Sequence, residues 1–529
     1  MADEVGAIPQ VLVDGRVIHH PTAGSRGIGR YTVSLVGALR TAGADVTVLV
    51  DSPQQATAWR STVADVVVAP MSPGVFRAAS SDTWFLCTQL MLHPIPLDVI
   101  PRAVTESGMR VMAVMYDVIP QRWPERYLVD EAALRMSQLR TMLARTVDRF
   151  IAISSFTADT AAVELGVPCG RFAVVGSAVD HMFTPRVSGD AALTAGDGVV
   201  FANTGPDDRK NTERLIRAWS KIPTAARAGL SLHIVCSIPD SVRRRWTTLI
   251  DELGLVDVRI CGALSDAELV AAYRTCTLAV FPSLEEGFGL PVAEAAACGA
   301  PVVCSDTSSM PEVIGSPDAT FNPFDAHDMA RVIERAITDS AYRAQLAGIA
   351  RECAQRWTWS RVGDDAVRAF TASPTVVGTG QKASWRARVA VVGRPDSLIA
   401  DAWPTDSIVE MVHDVSGTEL AGGAHGVWGW GRYTRSHDYD AVVTRRGPGD
   451  QLATDVTMAD NPGHVWLTAG ATVPPYVSRA RSVMVESSDM VADVQRVVGS
   501  AVPVRVLAGT DPASRVTEVA RLVLEGVAS

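Results

Sequence analysis

The stretch PSLEEGFGLPVAEAAACGAPVV, Pro282–Val303, decides how this chain reads. The apolar run Leu278–Phe281 ahead of it has the length and residue types of a buried strand. A short loop with Gly287 and Gly289 follows, then a helix. That helix carries Pro291 in its first turn, where a missing N–H costs nothing. It stops at Gly299, a residue favoured just past a helix end. Glycines ahead of a helix bare the backbone amides, and the helix dipole adds partial positive charge at the same end. A strand, loop and helix of this kind suit a diphosphate or an anionic transition state. Glu286 in the loop and Glu294 in the helix add carboxylates, each able to accept from two neighbouring hydroxyls, as a sugar diol presents them.

Outward from this stretch, short β-branched runs alternate with amphipathic helical patterns, which argues for parallel sheets covered by helices on both faces. Toward the N-terminus the strands read as Gln10–Asp14, Asp45–Val50, Val66–Val68, Thr83–Cys87, Arg110–Met115, Arg149–Ile153 and Phe172–Val175. Around the opening motif they read as Val199–Asn203, Ser231–Val235, Val258–Cys261, Leu278–Phe281 and Pro301–Cys304. Two doubly wound units are expected, over residues 1–185 and 198–355, with a closing helix over 356–372. Ligands of such sheets bind outside the carboxyl ends of the strands. Polar linkers, Thr184–Gly198 and Thr371–Ser384, set off a third, smaller α/β unit over 385–529. That unit repeats part of the first: Arg145–Asp180 and Arg479–Asp511 both run arginine, strand, Ser-Ser, helix, proline, strand, aspartate. The likeness reads as a partial, degenerate copy or as generic α/β patterning.

Composition limits the function. The 529 residues carry a net charge of −10, against a nucleic-acid partner for the whole chain. The acidic start MADEVGAIPQ predicts no signal peptide, and no apolar run is long enough to predict a membrane span. The eight scattered cysteines form no C-x-x-C pair and read as reduced core residues. A cytoplasmic chain is expected. Arg243–Arg245 offers either a peripheral contact with the inner face of an anionic membrane or a solvated helix face.

Three more segments carry chemistry. TGPDDRKNTERLIRAW, Thr204–Trp219, puts Arg209 and Lys210 on a loop after a strand, where cations suit a departing diphosphate, and Asn211 can cap the next helix. HHPTAGSRGIGRYTVSLVGAL, His19–Leu39, sets Gly24, Gly27 and Gly29 between the first strand and its helix. VMYDVIPQRWPERY, Val114–Tyr127, presents Asp117 at a strand end, either as an acceptor-side acid or base or as a turn former. Ser154 or Ser155 caps the helix that follows, either in that role alone or also facing the cleft.

Taken together, E-G-F-G-L-P-x-x-E with Glu286 and Glu294 seven residues apart, the R-K-N stretch and the G-I-G-R-Y-T loop resemble family 4 retaining glycosyltransferases, over residues 8–372. The resemblance is greatest to mannosyltransferase-like members. It implies a GT-B fold, two facing Rossmann-like domains, with the third unit appended. It also implies that Glu286 contacts donor-sugar hydroxyls and Glu294 the ribose. Phe288, Gly289 and Leu290 would cover sugar and phosphate with their amides, Lys210 and Arg209 would steady the leaving group, and Gly27 and Gly29 would approach the diphosphate from the other side. This sequence departs from the family at Thr204, where many members have arginine, and at Tyr116, where histidine is common. The implied substrate is a nucleotide diphosphate sugar, GDP-mannose first, with a glycan or lipid-linked acceptor. No cofactor is expected, and no D-x-D motif marks a metal site. The alternatives are a non-catalytic scaffold on the same fold and a sugar-nucleotide epimerase.

Overall fold

The computed structural model describes residues 8–20, 27–80, 82–93, 96–185 and 198–372. Beyond these it describes 387–392, 407–412, 441–446, 464–467, 482–485, 490–498, 504–507 and 519. The chain groups into two compact units. The first comprises Met1–Met91, Met109–Pro124 and Val147–Thr375; the second comprises Leu92–Gly108, Glu125–Thr146 and Val376–Ser529.

The first unit holds two parallel sheets. One is built from β1 (Gln10–Asp14), β2 (Asp45–Val50), β3 (Val67–Pro70), β4 (Trp84–Cys87), β5 (Arg110–Met115), β6 (Arg149–Ala152) and β7 (Phe172–Val174), in the order β3-β2-β1-β4-β5-β6-β7. The other is built from β8 (Gly198–Asn203), β9 (Leu230–Val235), β10 (Val258–Gly262), β11 (Leu278–Phe281), β12 (Val302–Ser305) and β13 (Thr320–Phe321), in the order β10-β9-β8-β11-β12-β13. Central strands such as β4 and β11 are buried at every residue, which is why they read as unbroken apolar runs rather than alternating ones. The strand order reverses between β1 and β4 and again between β8 and β11. Loops after two strands flanking such a switch point diverge and leave a crevice. The Arg209–Lys210 loop follows β8 and the Glu286 loop follows β11, so winding alone brings the two motifs together.

The helix Trp359–Thr371 returns to the first sheet's domain. Its Arg149 neighbour donates to the Ala369 carbonyl at 2.8 Å, and Trp84 meets Phe370 edge-on at 5.7 Å. Its Gly363 lies against the helix Gly27–Thr41 so closely that a Cβ there would stand 2.4 Å from the Ala38 carbonyl oxygen.

The structure departs from the sequence reading at a few ends. β3 begins at Val67 and runs to Pro70. β13 has two residues, too few to carry a period. Asn211 is not a side-chain cap: it sits at φ 58°, and its Nδ2 donates to the carbonyls of Pro282 at 3.0 Å and Pro323 at 2.8 Å. A left-handed backbone turns the side chain away from the helix amides and toward the neighbouring loops. All eight cysteines are free thiols. Five are buried, but Cys169 and Cys261 are exposed and so are not core residues.

The second unit holds a third parallel sheet of β14 (Ala387–Val392), β15 (Ser407–Val412), β16 (Ala441–Arg446), β17 (His464–Leu467), β18 (Ser482–Val485) and β19 (Val504–Val506), in the order β15-β14-β16-β17-β18-β19. This is the winding of the first sheet with β3 left out. The segment β18, helix Val491–Val498, β19 corresponds to β6, helix Ser155–Leu165, β7. Strand β15 was not legible, because Glu410 interrupts its apolar run. Most of the linkers and Gly24 lie outside the described residues, as do Gly426–Ser436, whose GWGRYT echoes the first-domain loop in sequence, and nearly all of Ala513–Leu524, whose pattern predicts an amphipathic closing helix. Among the described residues, no helix is long and apolar enough to cross a membrane.

Gly363→Val should destabilise the chain by about 1–3 kcal/mol, because the added carbons force the crossover helix off the Ala38 backbone. Chemical unfolding of the variant beside wild type measures this; an unchanged midpoint would mean the two helices can part at no cost.

Candidate active site

The loop after β11 is fixed from all sides. Leu284 N–H donates to the Arg209 carbonyl at 2.6 Å, and Glu286 N–H donates to Ser308 Oγ at 3.2 Å. Its carbonyls are taken in turn. Thr307 donates to Leu284 O at 3.1 Å, and Ser309 to Glu286 O at 2.9 Å and Phe288 O at 2.8 Å. Across the crevice, Ser154 donates to Gly287 O at 2.5 Å and Thr157 donates to it at 2.9 Å. The carbonyls therefore point into the protein. No described residue accepts from the amides of Phe288, Gly289 and Leu290, where the helix Leu290–Ala297 begins behind Gly289 at φ 95°. These are the amides that the sequence reading assigned to sugar and phosphate.

Glu286 lies between the two cations. Lys210 Nζ donates to its Oε1 at 2.6 Å and Arg209 Nη1 to its Oε2 at 3.1 Å. Burial opposes ionisation of this carboxyl, yet the combined pull of Lys210 and Arg209, with hydrogen bonds from Lys210 and Ser283, outweighs it and holds the group at about 2. Arg209 also donates to the Glu285 carbonyl at 3.0 Å and stands 3.4 Å from Asp207. Thr204 hydrogen-bonds Thr212 at 2.8 Å, so the position where many members carry arginine serves here to pin the loop.

Asp117 forms the expected turn. Ile119 N–H donates to its Oδ1 at 3.2 Å, which makes the turn. Burial pushes the carboxyl up, and Ile119 N–H and Arg209 draw it back, with Glu286 and Glu285 opposing. It thus stands within electrostatic reach of the Glu286 cluster. Tyr116 is half-buried, its hydroxyl 3.2 Å from Thr32 Oγ1 and its ring edge-on to Tyr31 at 5.4 Å. Ser154 caps its helix by accepting from Thr157 N–H at 3.0 Å and also faces the loop, so capping is not its only role.

Glu294 faces a different environment. Its carboxylate makes no hydrogen bond to a described residue. Burial raises it to about 7, with Arg30 pulling down and Asp266 pushing up. Arg30 follows Gly27 and Gly29 in the first domain's helix and pairs with Asp266 of the second domain at 2.6 Å. Gly27 opens that helix at φ 30°, and no described residue comes within 4 Å of a would-be Cβ there.

Several residues escaped the sequence reading. Glu285 is 3 % exposed and accepts from Arg122 Nε at 2.7 Å and from Trp123 Nε1 at 2.6 Å. Glu312 accepts from the backbone and hydroxyl of Ser155, between 2.9 and 3.1 Å. Trp357 sits edge-on to Phe288 at 5.0 Å, donates to the Val313 carbonyl at 3.0 Å and fills the space a Cβ at Gly176 would take. The adjacent acids of E-E-G were the available signal for Glu285. His19 is exposed, and His93 is buried near Asp98 at 3.9 Å. Arg245 pairs with Glu213 and stands 3.7 Å from Asp208 on a half-exposed helix face. No group of metal-ligating side chains occurs among the described residues.

Two family models match: glycosyl transferases group 1 over residues 200–352, and glycosyltransferase family 4 over residues 25–183. The chain is 30 % identical over 321 residues to the serotype-specific mannosyltransferase WbdA of Escherichia coli, covering 58 % of this chain and 38 % of that protein. It therefore spans well under half of that relative. It is 26 % identical to the O-antigen chain mannosyltransferase B of Escherichia coli, covering 49 % of this chain and 70 % of that one. The crystal structure of Anabaena Alr3699/HepE in complex with UDP superposes with a TM-score of 0.54 at 18 % identity, over 69 % of this chain and 100 % of that one. The two parallel sheets thus form the GT-B fold.

Because the folded-state value of Glu294 lies above its ordinary 4.5, its protonated form contributes stability that is complete below pH 4.5 and lost as pH rises through about 7. The stability of ligand-free wild type relative to Glu294→Gln should therefore fall across that window. Parallel pH profiles for the two proteins, from chemical unfolding, would contradict this.

Proposed function

We propose that this chain, which belongs to the glycosyltransferases the two family models describe, transfers a hexose from a nucleotide diphosphate sugar to a hydroxyl of a glycan or lipid-linked acceptor, with retention of configuration. The observation that carries this reading is the placing of Lys210 and Arg209 on Glu286, beside the open amides of Phe288, Gly289 and Leu290. A cation pair and a helix N-terminus together form a site for a diphosphate. Glu286 keeps both cations poised before the donor arrives. The diphosphate then shares them, and the carboxylate is free to accept from sugar hydroxyls. Glu294, one turn into the same helix, accepts from the ribose diol when ionised.

In the transfer, the bond between the anomeric carbon and the diphosphate oxygen breaks while the acceptor oxygen bonds to that carbon on the same face. The acceptor proton passes to the leaving phosphate. Charge grows on the phosphate as the bond stretches, and Lys210, Arg209 and the helix amides meet it there without a metal ion being required. Asp117 stands on the acceptor side. The similarity to mannosyltransferases favours GDP-mannose as donor.

Calorimetric binding against GDP, UDP, ADP and dTDP sugars, on wild type and Glu294→Ala, tests the reading. One nucleotide sugar should bind and be lost in the variant. Its turnover should fall about 10²–10³-fold in Lys210→Ala. Binding without transfer to any acceptor, with release of an altered sugar nucleotide, would favour an epimerase. No binding at all would leave a non-catalytic scaffold.

A further inference from the structure

We propose that Glu285 is a positioning residue of the transfer site, a role that rests on the transferase reading above. The carboxylate is 3 % exposed and fully engaged by the first sheet's domain: Arg122 Nε at 2.7 Å on one oxygen, Trp123 Nε1 at 2.6 Å on the other. Its backbone carbonyl meanwhile accepts Arg209 Nη1 at 3.0 Å, and the same guanidinium nitrogen reaches Glu286 Oε2 at 3.1 Å. One residue therefore links the first domain, through its side chain, to the Arg209 guanidinium, through its peptide.

The neighbour on the far side is held in the same way. Gly287 O accepts from Ser154 and Thr157, and a Cβ on Gly287 would stand 2.1 Å from the Tyr116 carbonyl. Positions 285 and 287 are thus both fixed by the first domain. Glu286, between them, is left to turn toward Lys210. Arg122 is itself held, with its guanidinium 5.5 Å from the Phe156 ring and 3.9 Å from Glu164. The direction of the Glu286 carboxylate, and of the cation it shares, is set by a contact that touches no substrate.

Glu285→Gln keeps the shape but turns an amide N–H₂ toward one of the two donors. In GDP release from GDP-mannose, kcat should fall about tenfold to a hundredfold, the worth of a charge-assisted hydrogen bond. The donor KM should move less than threefold. Trp123→Phe, which removes one donor and leaves Arg122, should lose less. The double variant Arg122→Gln/Glu285→Gln should be no worse than the worse single, because both remove one contact. Lys210→Ala serves as the control. If Lys210→Ala is inactive and Glu285→Gln turns over like wild type, the positioning role is wrong and the transferase reading stands. If Lys210→Ala is fully active, the transferase reading fails first. Amide exchange over residues 284–290 is a second measurement that needs no donor. It should quicken in Glu285→Gln and in Trp123→Phe, and unchanged exchange in both would overturn the proposal even if wild type ignores GDP-mannose or one variant fails to fold.

Discussion

Position 287 admits only a hydrogen atom. The carbonyl oxygen of Tyr116 occupies the place where any larger side chain would begin, 2.1 Å from an ideal Cβ. That approach brings the loop after β11 against the strand-end turn of β5, so that Ser154 and Thr157 reach its carbonyl. It also brings Arg122 and Trp123 within reach of Glu285. The cluster of Glu286, Lys210 and Arg209 takes shape on a loop whose path is decided by that one close contact.

The electrostatics follow from where each acid lies. Glu286 and Glu294 share a motif yet are driven apart, to about 2 and about 7, because two cations reach the first and only a distant arginine, itself paired with Asp266, reaches the second. The same carboxyl chemistry thus gives a permanent anion in the loop and a group that titrates near neutrality on the helix. Two such values in one crevice separate their tasks without any change of residue type.

Much of this was legible beforehand. The alternation of apolar runs and helices, the Gly-rich loop before Leu290 and the Arg209–Lys210 pair are local patterns, and local patterns survive in a sequence. The meeting of Lys210 with Glu286 needed the strand order, which periodicity does not state. The pairing of Glu285 with Arg122 and Trp123 was invisible because the partners lie more than 160 positions apart. Asn211 misled because a capping residue type in a left-handed backbone points elsewhere. The likeness of the third sheet to the first was audible as Ser-Ser and proline at matching places. Its strand order repeats that of the first sheet, as either a degenerate copy or generic α/β winding would.

The two sides of the crevice are joined unequally. On one side, Glu285, Gly287 and Trp357 are tied by part-buried hydrogen bonds and an aromatic contact. On the other, Arg30 and Asp266 meet as an ion pair with side chains 48 % and 39 % exposed. An exposed pair contributes about 0–1 kcal/mol and weakens further with salt. Salt therefore acts on the two sides differently: it weakens the exposed Arg30–Asp266 pair and leaves the packing of Trp357 on Phe288 untouched.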